Sequence, residues 1–321
     1  MFGIRRTLGG ILAKIFFLQL VLIFPSAGPA FSLDEIMVSY AGPTVTFLPA
    51  EVARQRGFLR EQNLDMKLLL TRSEVDRAAL VSGGVDYTLR AGSSFVSAAR
   101  GLPVRIVFLG TMKPFWGLVV RPEMKSVSEL KGKSMGVPGL LGSQQISAKF
   151  ILRHYGLDPD KDVIYRVVDT GTRIAAMLSG ALDSSMMDYG EAFRAKKAGL
   201  KFLVNAADVH SLLAGGLAVN VRKLKEQPDQ VRRMLKAMTQ ALKYMQDNPA
   251  GTQQVMMSWL KLDREMAAEI YQMAINNYTK NGMVEESTLT PLVTSMLAEA
   301  GIKSVNVSQL TDFTLLQQVL K

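Results

Sequence analysis

The sequence predicts an α/β protein with mostly parallel sheets, arranged as two similar lobes and finished by a helical C-terminal part. Three observations carry this. Short β-rich runs alternate with helical stretches from Leu33 to about Asn220, and strands separated by helices imply parallel pairing. A nine-residue pattern recurs at a constant offset, which fits two related units better than one large sheet. Beyond Asn220 the chain carries apolar residues at helical spacing almost throughout.

The first strand is read at Ile36 to Tyr40, followed by a helix at Pro49 to Arg60. Asp65 to Leu70 is the next strand, Ser73 to Ser82 the next helix, and Val85 to Leu89 a further strand. Val104 to Leu109, Ser134 to Val137, Ile164 to Val168 and Lys201 to Val204 continue the series. Helices are then expected at Gln227 to Gln246, Gly251 to Leu260 and Arg264 to Lys280, with Asp263 capping the last. The repeat is Ala78-Ala79-Leu80-Val81-Ser82-Gly83-Gly84-Val85-Asp86, which returns 97 positions later as Ala175-Ala176-Met177-Leu178-Ser179-Gly180-Ala181-Leu182-Asp183. Each copy is a helix ended by Ser-Gly and then a strand entry ending in Asp. Glycine ends a helix readily because it reaches positive φ without a Cβ clash.

Composition narrows the chemistry. With 321 residues and 48% hydrophobic content the chain can bury the cores of about two domains, which excludes a disordered or fibrous protein. Cysteine is absent, which removes disulfides, thiol catalysis and Cys-ligated zinc. His154 and His210 are the only histidines, and their spacing offers neither a metal cluster nor a catalytic triad. No metal or cofactor is therefore expected. The net charge of +10 favours anionic partners, but no basic-plus-aromatic repeat supports nucleic acid.

The N-terminus reads as a secretory signal peptide over residues 1–32. Arg5 and Arg6 precede the apolar run Ile15 to Phe24, and small residues with proline follow from Pro25 to Ser32. Cleavage is expected between about Gly28 and Ser32. The alternative, an uncleaved anchor, is weakened by Lys14 and Gln19 within the run. An exported chain is expected, and the periplasm is its expected location.

Phe47 to Asp65 (FLPAEVARQRGFLREQNLD) resembles the "PLYVAKEKGFFKEEGLDVE" pattern of one family of solute-binding proteins. Ala79 to Asp86, Gly101 to Val104, Ser128 to Lys133 and Gly156 to Pro159 match further stretches in order and spacing. Together they resemble the periplasmic solute-binding proteins of ABC importers, in the nitrate/sulfonate/taurine and thiamine-precursor-like group. The resemblance implies a type II periplasmic binding protein fold, with two α/β lobes, two hinge crossovers and ligand held between the lobes. It implies residues 33–118 as the first part of one lobe, 119–214 as the second lobe, and 215–321 as the return with C-terminal helices. The crossings are placed near Gly117 to Arg121 and Leu213 to Asn220. Partners implied are a small-molecule ligand and an ABC permease in the inner membrane, with the chain itself a monomer.

Ligands of open α/β sheets lie beyond the carboxyl ends of strands, at loops that open helices. That rule selects Gly142, Ser143 and Gln144, where free backbone N–H groups and the helix dipole favour an anion. It also selects Arg90, Gly92, Ser93 and Ser94 in the first lobe, and Thr170, Gly171 and Thr172 in the second. Asp188 and Tyr189 follow the second repeat. Gly42, Pro43 and Thr44 follow the first strand, Arg72 and Ser73 the second, and Thr111 and Trp116 lie beyond Val104 to Leu109. The expected function is a receptor that captures a small organic anion, sulfonate- or carboxylate-like, for a permease. The alternatives are a sensing protein for a membrane signalling partner and, behind it, an enzyme like the thiamine-pyrimidine synthases, which the resemblance implies share the fold. An enzyme is not expected, because the selected loops hold no His, only Lys113 lies near them, and an exported location does not suit such an enzyme.

Overall fold

The computed structural model describes residues 33–321 except Leu141 and Ser304; the expected signal peptide lies outside the described residues. Ten strands are described: β1 (Asp34–Tyr40), β2 (Leu64–Leu70), β3 (Tyr87–Thr88), β4 (Val104–Leu109), β5 (Trp116–Val120), β6 (Lys133–Val137), β7 (Val163–Val167), β8 (Ser184–Asp188), β9 (Lys201–Asn205) and β10 (Gly216–Asn220). The helices that accompany lobe one's sheet are α1 (Leu48–Gln55), α2 (Phe58–Glu61), α3 (Ser73–Ser82) and α4 (Ala91–Ala99). Those of the second are α5 (Ser143–His154), α6 (Arg173–Leu178), α7 (Tyr189–Lys197) and α8 (Ala206–Val209). The rest are α9 (Val221–Glu226), α10 (Pro228–Asp247), α11 (Pro249–Leu260), α12 (Arg264–Ala274), α13 (Glu286–Glu299) and α14 (Thr314–Val319).

The strands form two five-stranded sheets, ordered β2-β1-β3-β10-β4 and β7-β6-β8-β5-β9. β1 runs parallel to β2 and β3, and β6 runs parallel to β7 and β8. One strand in each sheet opposes the others: β10 is antiparallel to β3 and β4, and β5 to β8 and β9. Both are the first strand after the chain changes sheets, and this is the fold of type II periplasmic binding proteins.

The chain leaves the first sheet after Leu109 and enters the second at Trp116; it returns between Val209 and Gly216. The crossings expected at Gly117 to Arg121 and Leu213 to Asn220 are largely strands β5 and β10, and the expected 118/119 division falls inside β5. All five residues of each strand are buried, so these central strands read as continuous apolar runs, as a buried connection also would. The true connections are short and polar at one point. Thr111, wholly buried, accepts through Oγ1 from the N–H groups of Ala214 and Gly215, each at 3.0 Å. Gly110 donates to Gly215 O at 2.9 Å and Leu212 to Met112 O at 3.2 Å. The two connections therefore lie hydrogen-bonded side by side.

The internal repeat has a structural cause. Asp86 accepts the backbone N–H of Met37 at 2.7 Å, and Asp183 accepts that of Ser134 at 2.9 Å. Each carboxylate thus fastens the strand that follows α3 or α6 to its neighbour, at the middle of β1 or the start of β6. Gly83 and Gly180, at φ +85° and +81°, turn the chain just past those helices. The C-terminal part is helical as expected. α10 packs on α1, α2 and α14, burying Val231, Met234, Leu235, Met238 and Leu242. The helix expected to run to Lys280 stops at Ala274 and continues only as a single tight turn, Ile275–Asn277. There Asn277 is buried, its side chain donating to Pro114 O at 3.3 Å, and Tyr278 is drawn in to donate to Val45 O at 2.6 Å.

Thr111→Val is expected to strand two buried N–H donors at the paired connections, costing about 2–6 kcal/mol at roughly 1–3 each. Urea unfolding should show a lower midpoint; an unchanged midpoint would contradict the role given to this hydroxyl.

Candidate ligand-binding site

Strand ends and helix starts from both sheets meet around a cleft of about 540 Å³, a size that suits a small molecule. α3 follows β2, α4 follows β3, α5 follows β6 and α7 follows β8, and the capping or first residues of all four helices line the cleft. Their dipoles favour negative charge at that wall, although the first N–H groups of α7 are already taken up by Phe115 O and Asp188, and that of Gly92 in α4 by Ala214 O.

The side chains refine this picture. Arg90 is mostly buried; its guanidinium donates to Thr71 O and, at 3.2 Å, to Ser73 Oγ. Its Nε lies 3.9 Å from Asp76 and has no hydrogen-bond partner. Burial pulls the Arg90 pKa down, with Asp76 opposing. Asp76 is itself occupied by the hydroxyls of Ser39 (2.5 Å) and Thr88 (2.7 Å). Trp116 is 3% exposed and its indole Nε1 is also without a partner, as are the hydroxyls of Thr44 and Thr71. Buried polar groups are ordinarily paired, so this cluster of orphans around one cavity marks a place for a ligand or ordered water.

The second sheet supplies a contrasting group. Asp188 caps α7 by accepting from Glu191 N at 3.1 Å, and burial pushes its carboxyl up from the ordinary range. Behind the wall Arg173, fully buried, forms a two-pronged ion pair with Glu191 at 3.1 and 2.6 Å. Burial pushes the Glu191 carboxyl up while Arg173 pulls it down. Arg173 also donates to Gln144 Oε1 at 2.9 Å. Across the cleft mouth Arg72 and Asp169 pair at 3.0 Å. They stand 97 positions apart, so the repeat places them at equivalent points of its two copies.

Twelve of the selected residues line the cleft: Thr44, Arg72, Ser73, Arg90, Ser93, Trp116, Gly142, Ser143, Gln144, Thr170, Gly171 and Asp188. Seven do not. Gly42 takes φ +130° in the turn that leaves β1, and Pro43 is exposed outside the cleft. Gly92 donates to Ala214 O, and a Cβ there would overlap Ser143 Oγ and Leu213 O; it is a point of backbone contact. Ser94 turns back to Arg90 O at 2.9 Å, and Thr172 to Asp169 O at 3.0 Å. Thr111 is taken up by the paired connections. Tyr189 is core, with its hydroxyl on Asn205 Oδ1 at 2.8 Å and its ring edge-on to Phe115. Strand-end position alone does not say which way a side chain points, and those of Ser94, Thr111, Thr172 and Tyr189 spend their polar atoms on other hydrogen bonds. Thr71, Asp169 and Phe47 line the cleft and were not selected. Asp169 was recoverable from its offset to Arg72; Phe47 had no distinguishing signal. Among the described residues no group of three or more His, Cys, Asp or Glu could hold a metal ion.

Fold and cleft together define an α/β protein with the type II periplasmic binding protein fold. A family described as "NMT1/THI5 like" matches residues 44–252, and the chain belongs to that family. The Saccharomyces cerevisiae protein THI12, named 4-amino-5-hydroxymethyl-2-methylpyrimidine phosphate synthase, is 29% identical over 227 residues, covering 64% of this chain and 65% of its own length. The chain thus matches just under two thirds of that relative. The riboflavin-binding protein RibY of Chloroflexus aurantiacus is 26% identical over 235 residues, covering 70% of this chain and 66% of RibY. Among solved structures, the alkanesulfonate-binding protein SsuA of Xanthomonas axonopodis pv. citri, bound to MOPS, superposes with a TM-score of 0.67 at 15% identity over 89% of this chain and 97% of that one.

The expectation that excluded an enzyme is corrected by the fungal relatives. Five of them carry the synthase name, at 28 to 29% identity, so this family includes named enzymes. Scarcity of His and Lys in the selected loops was too weak a ground for the exclusion.

Glu191→Gln leaves Arg173 buried opposite a neutral group and is expected to cost about 3–5 kcal/mol. Arg72→Ala removes an exposed pair and is expected to cost less than about 1 kcal/mol. Thermal unfolding of both variants checks the contrast, and equal losses would contradict it.

Proposed function

We propose that this protein is an extracytoplasmic receptor that captures a small oxyanion, sulfonate- or carboxylate-like, in the cleft and delivers it to an ABC permease. One observation carries the reading: two buried orphan donors, Trp116 Nε1 and Arg90 Nε, share a cavity with the starts of four helices. Donors without partners await acceptors, and helix N-termini favour negative charge. The binding names of SsuA and RibY support capture rather than a particular ligand. The charged-then-apolar N-terminal sequence supports export. The hinge lies at the paired connections 110–115 and 210–215, so closure swings one sheet against the other about Thr111. Arg72 and Asp169 bridge the two sides in the present arrangement. The protein works as a monomer in this reading, since one chain supplies both walls.

The fungal synthases support a second reading, in which the ligand is transformed. Incubating the protein with a bound ligand and recovering it for mass spectrometry separates the two. A receptor returns the ligand unchanged.

Calorimetry across sulfonates, carboxylates, nitrate and pyrimidine phosphates tests the ligand class. At least one oxyanion is expected to bind, and Trp116→Phe, which keeps an aromatic ring of smaller size and removes the N–H, should weaken it about tenfold. Binding confined to uncharged or cationic compounds would contradict the proposal. The buried Asp188 carboxyl gives a second expectation. Its pKa is already raised, and an entering anion raises it further, so binding takes up a proton and affinity grows as pH falls toward the ordinary carboxyl range. Asp188→Asn preserves a capping side chain and should flatten that pH dependence.

A further inference from the structure

We infer that the buried Arg173–Glu191 pair sets the hydrogen-bond polarity of the cleft by turning the Gln144 amide so that its NH₂ group faces the ligand. The inference rests on the proposed oxyanion receptor and deepens it, by naming a residue that selects for acceptor groups.

The argument starts from what arginine can do. A guanidinium has five donors and no acceptor, so only the carbonyl end of an amide can meet it. Arg173 Nη1 lies 2.9 Å from Gln144 Oε1, which fixes the amide: oxygen toward Arg173, nitrogen away. Gln144 lines the cleft, and among the described residues no acceptor is bonded to its Nε2. The guanidinium cannot rotate to relax this choice. Glu191 grips it at Nε and Nη2, at 3.1 and 2.6 Å, and the Met186 carbonyl takes a further bond from Nη1. Such a fork fixes the plane of the group as well as its position. All of this is buried, with Arg173 at 0% and Glu191 at 2% exposure.

Fully buried ion pairs are costly to desolvate and are weak evidence of stabilisation, while their attested use is in specifying one arrangement among several. Here the arrangement specified is a donor at the cleft wall. Gln144 Nε2 joins Trp116 Nε1, which is nine-tenths buried and unpartnered, and Arg90 Nε. Three side-chain donors from β5, α5 and the start of α4 then surround the cavity. A ligand group that can only donate, such as an ammonium, finds no partner among these three. Discrimination against a group that leaves buried donors unpaired is large, because each carries its full desolvation cost. Arg173 is a positioning residue in this account and does not touch the ligand.

Gln144→Glu is the test. A glutamate keeps an oxygen for Arg173, with added charge, and replaces the cleft-facing NH₂ by a second acceptor. The full-length protein and this variant are titrated calorimetrically with MOPS, with the oxyanions of the panel above, and with the amine in which an ammonium replaces the MOPS sulfonate. Oxyanion affinity is expected to fall at least about tenfold in the variant, the sulfonate-to-ammonium affinity ratio to fall further, and the unfolding temperature not to drop. Arg173→Lys, which cannot hold the fork, is expected to lower the same ratio even where absolute affinity changes little. If that variant does not fold, Gln144→Glu decides alone. Unchanged oxyanion binding by Gln144→Glu overturns this inference and leaves the receptor reading standing. A wild-type protein that binds the ammonium compound as tightly as the sulfonate also overturns it. Failure of the wild type to bind any oxyanion overturns the receptor reading and this inference with it.

Discussion

A single hydroxyl joins the two places where the chain changes sheets. Thr111 accepts both N–H groups of Ala214 and Gly215, and this pairing brings the first connection alongside the second. Everything else in the molecule depends on those two connections being neighbours. Because they are, β5 and β10 enter opposite sheets against the prevailing strand direction, and the carboxyl ends of the remaining strands converge on one gap. Helices open from those ends by the ordinary geometry of strand–loop–helix units, which points the positive ends of four helix dipoles at the gap. A fold of this kind positions a binding site before any particular side chain is specified.

The side chains then divide the labour. Those at the cavity wall are short of partners: Trp116, Arg90, Thr44 and Thr71 keep buried polar atoms that the protein does not satisfy. Those just behind are over-determined, as in the Arg173–Glu191–Gln144 group, where every arginine nitrogen has an acceptor. Leaving donors unsatisfied costs stability, and the cost is recovered when an acceptor arrives. The buried carboxyl of Asp188 stands among these donors and tempers the positive field.

Much of the fold was legible because its signals are local. The repeat ending in Asp86 and Asp183 was visible as letters, and the structure shows why it must be there: each aspartate ties a strand entry to the neighbouring strand. Strand and helix order followed from periodicity. The places where the sequence misled are those where buried strand and buried connection look alike, as in Gly117 to Val120, and where tertiary bonds end a helix early, as at Asn277 and Tyr278. The site was legible at the level of loops and poorly legible at the level of side chains. Ser94, Thr172 and Tyr189 sit at the right strand ends and spend their polar atoms elsewhere. Arg173, two residues beyond Gly171, has no cleft contact and still governs Gln144; only coordinates reveal such an indirect role. The relation to named synthases was obscured for another reason, since a fold shared by receptors and enzymes does not announce chemistry by the absence of histidine.

Hydrogen exchange, followed with and without the oxyanion that binds most tightly, tests the central claim most directly. The account requires exchange to slow at amides near residues 71–73, 90–94 and 142–145 and along the paired connections 110–115 and 210–215. Slowing confined to another region, such as the groove between α7, β9 and α12 lined by Phe193, Phe202 and Met273, would place the ligand elsewhere and contradict it.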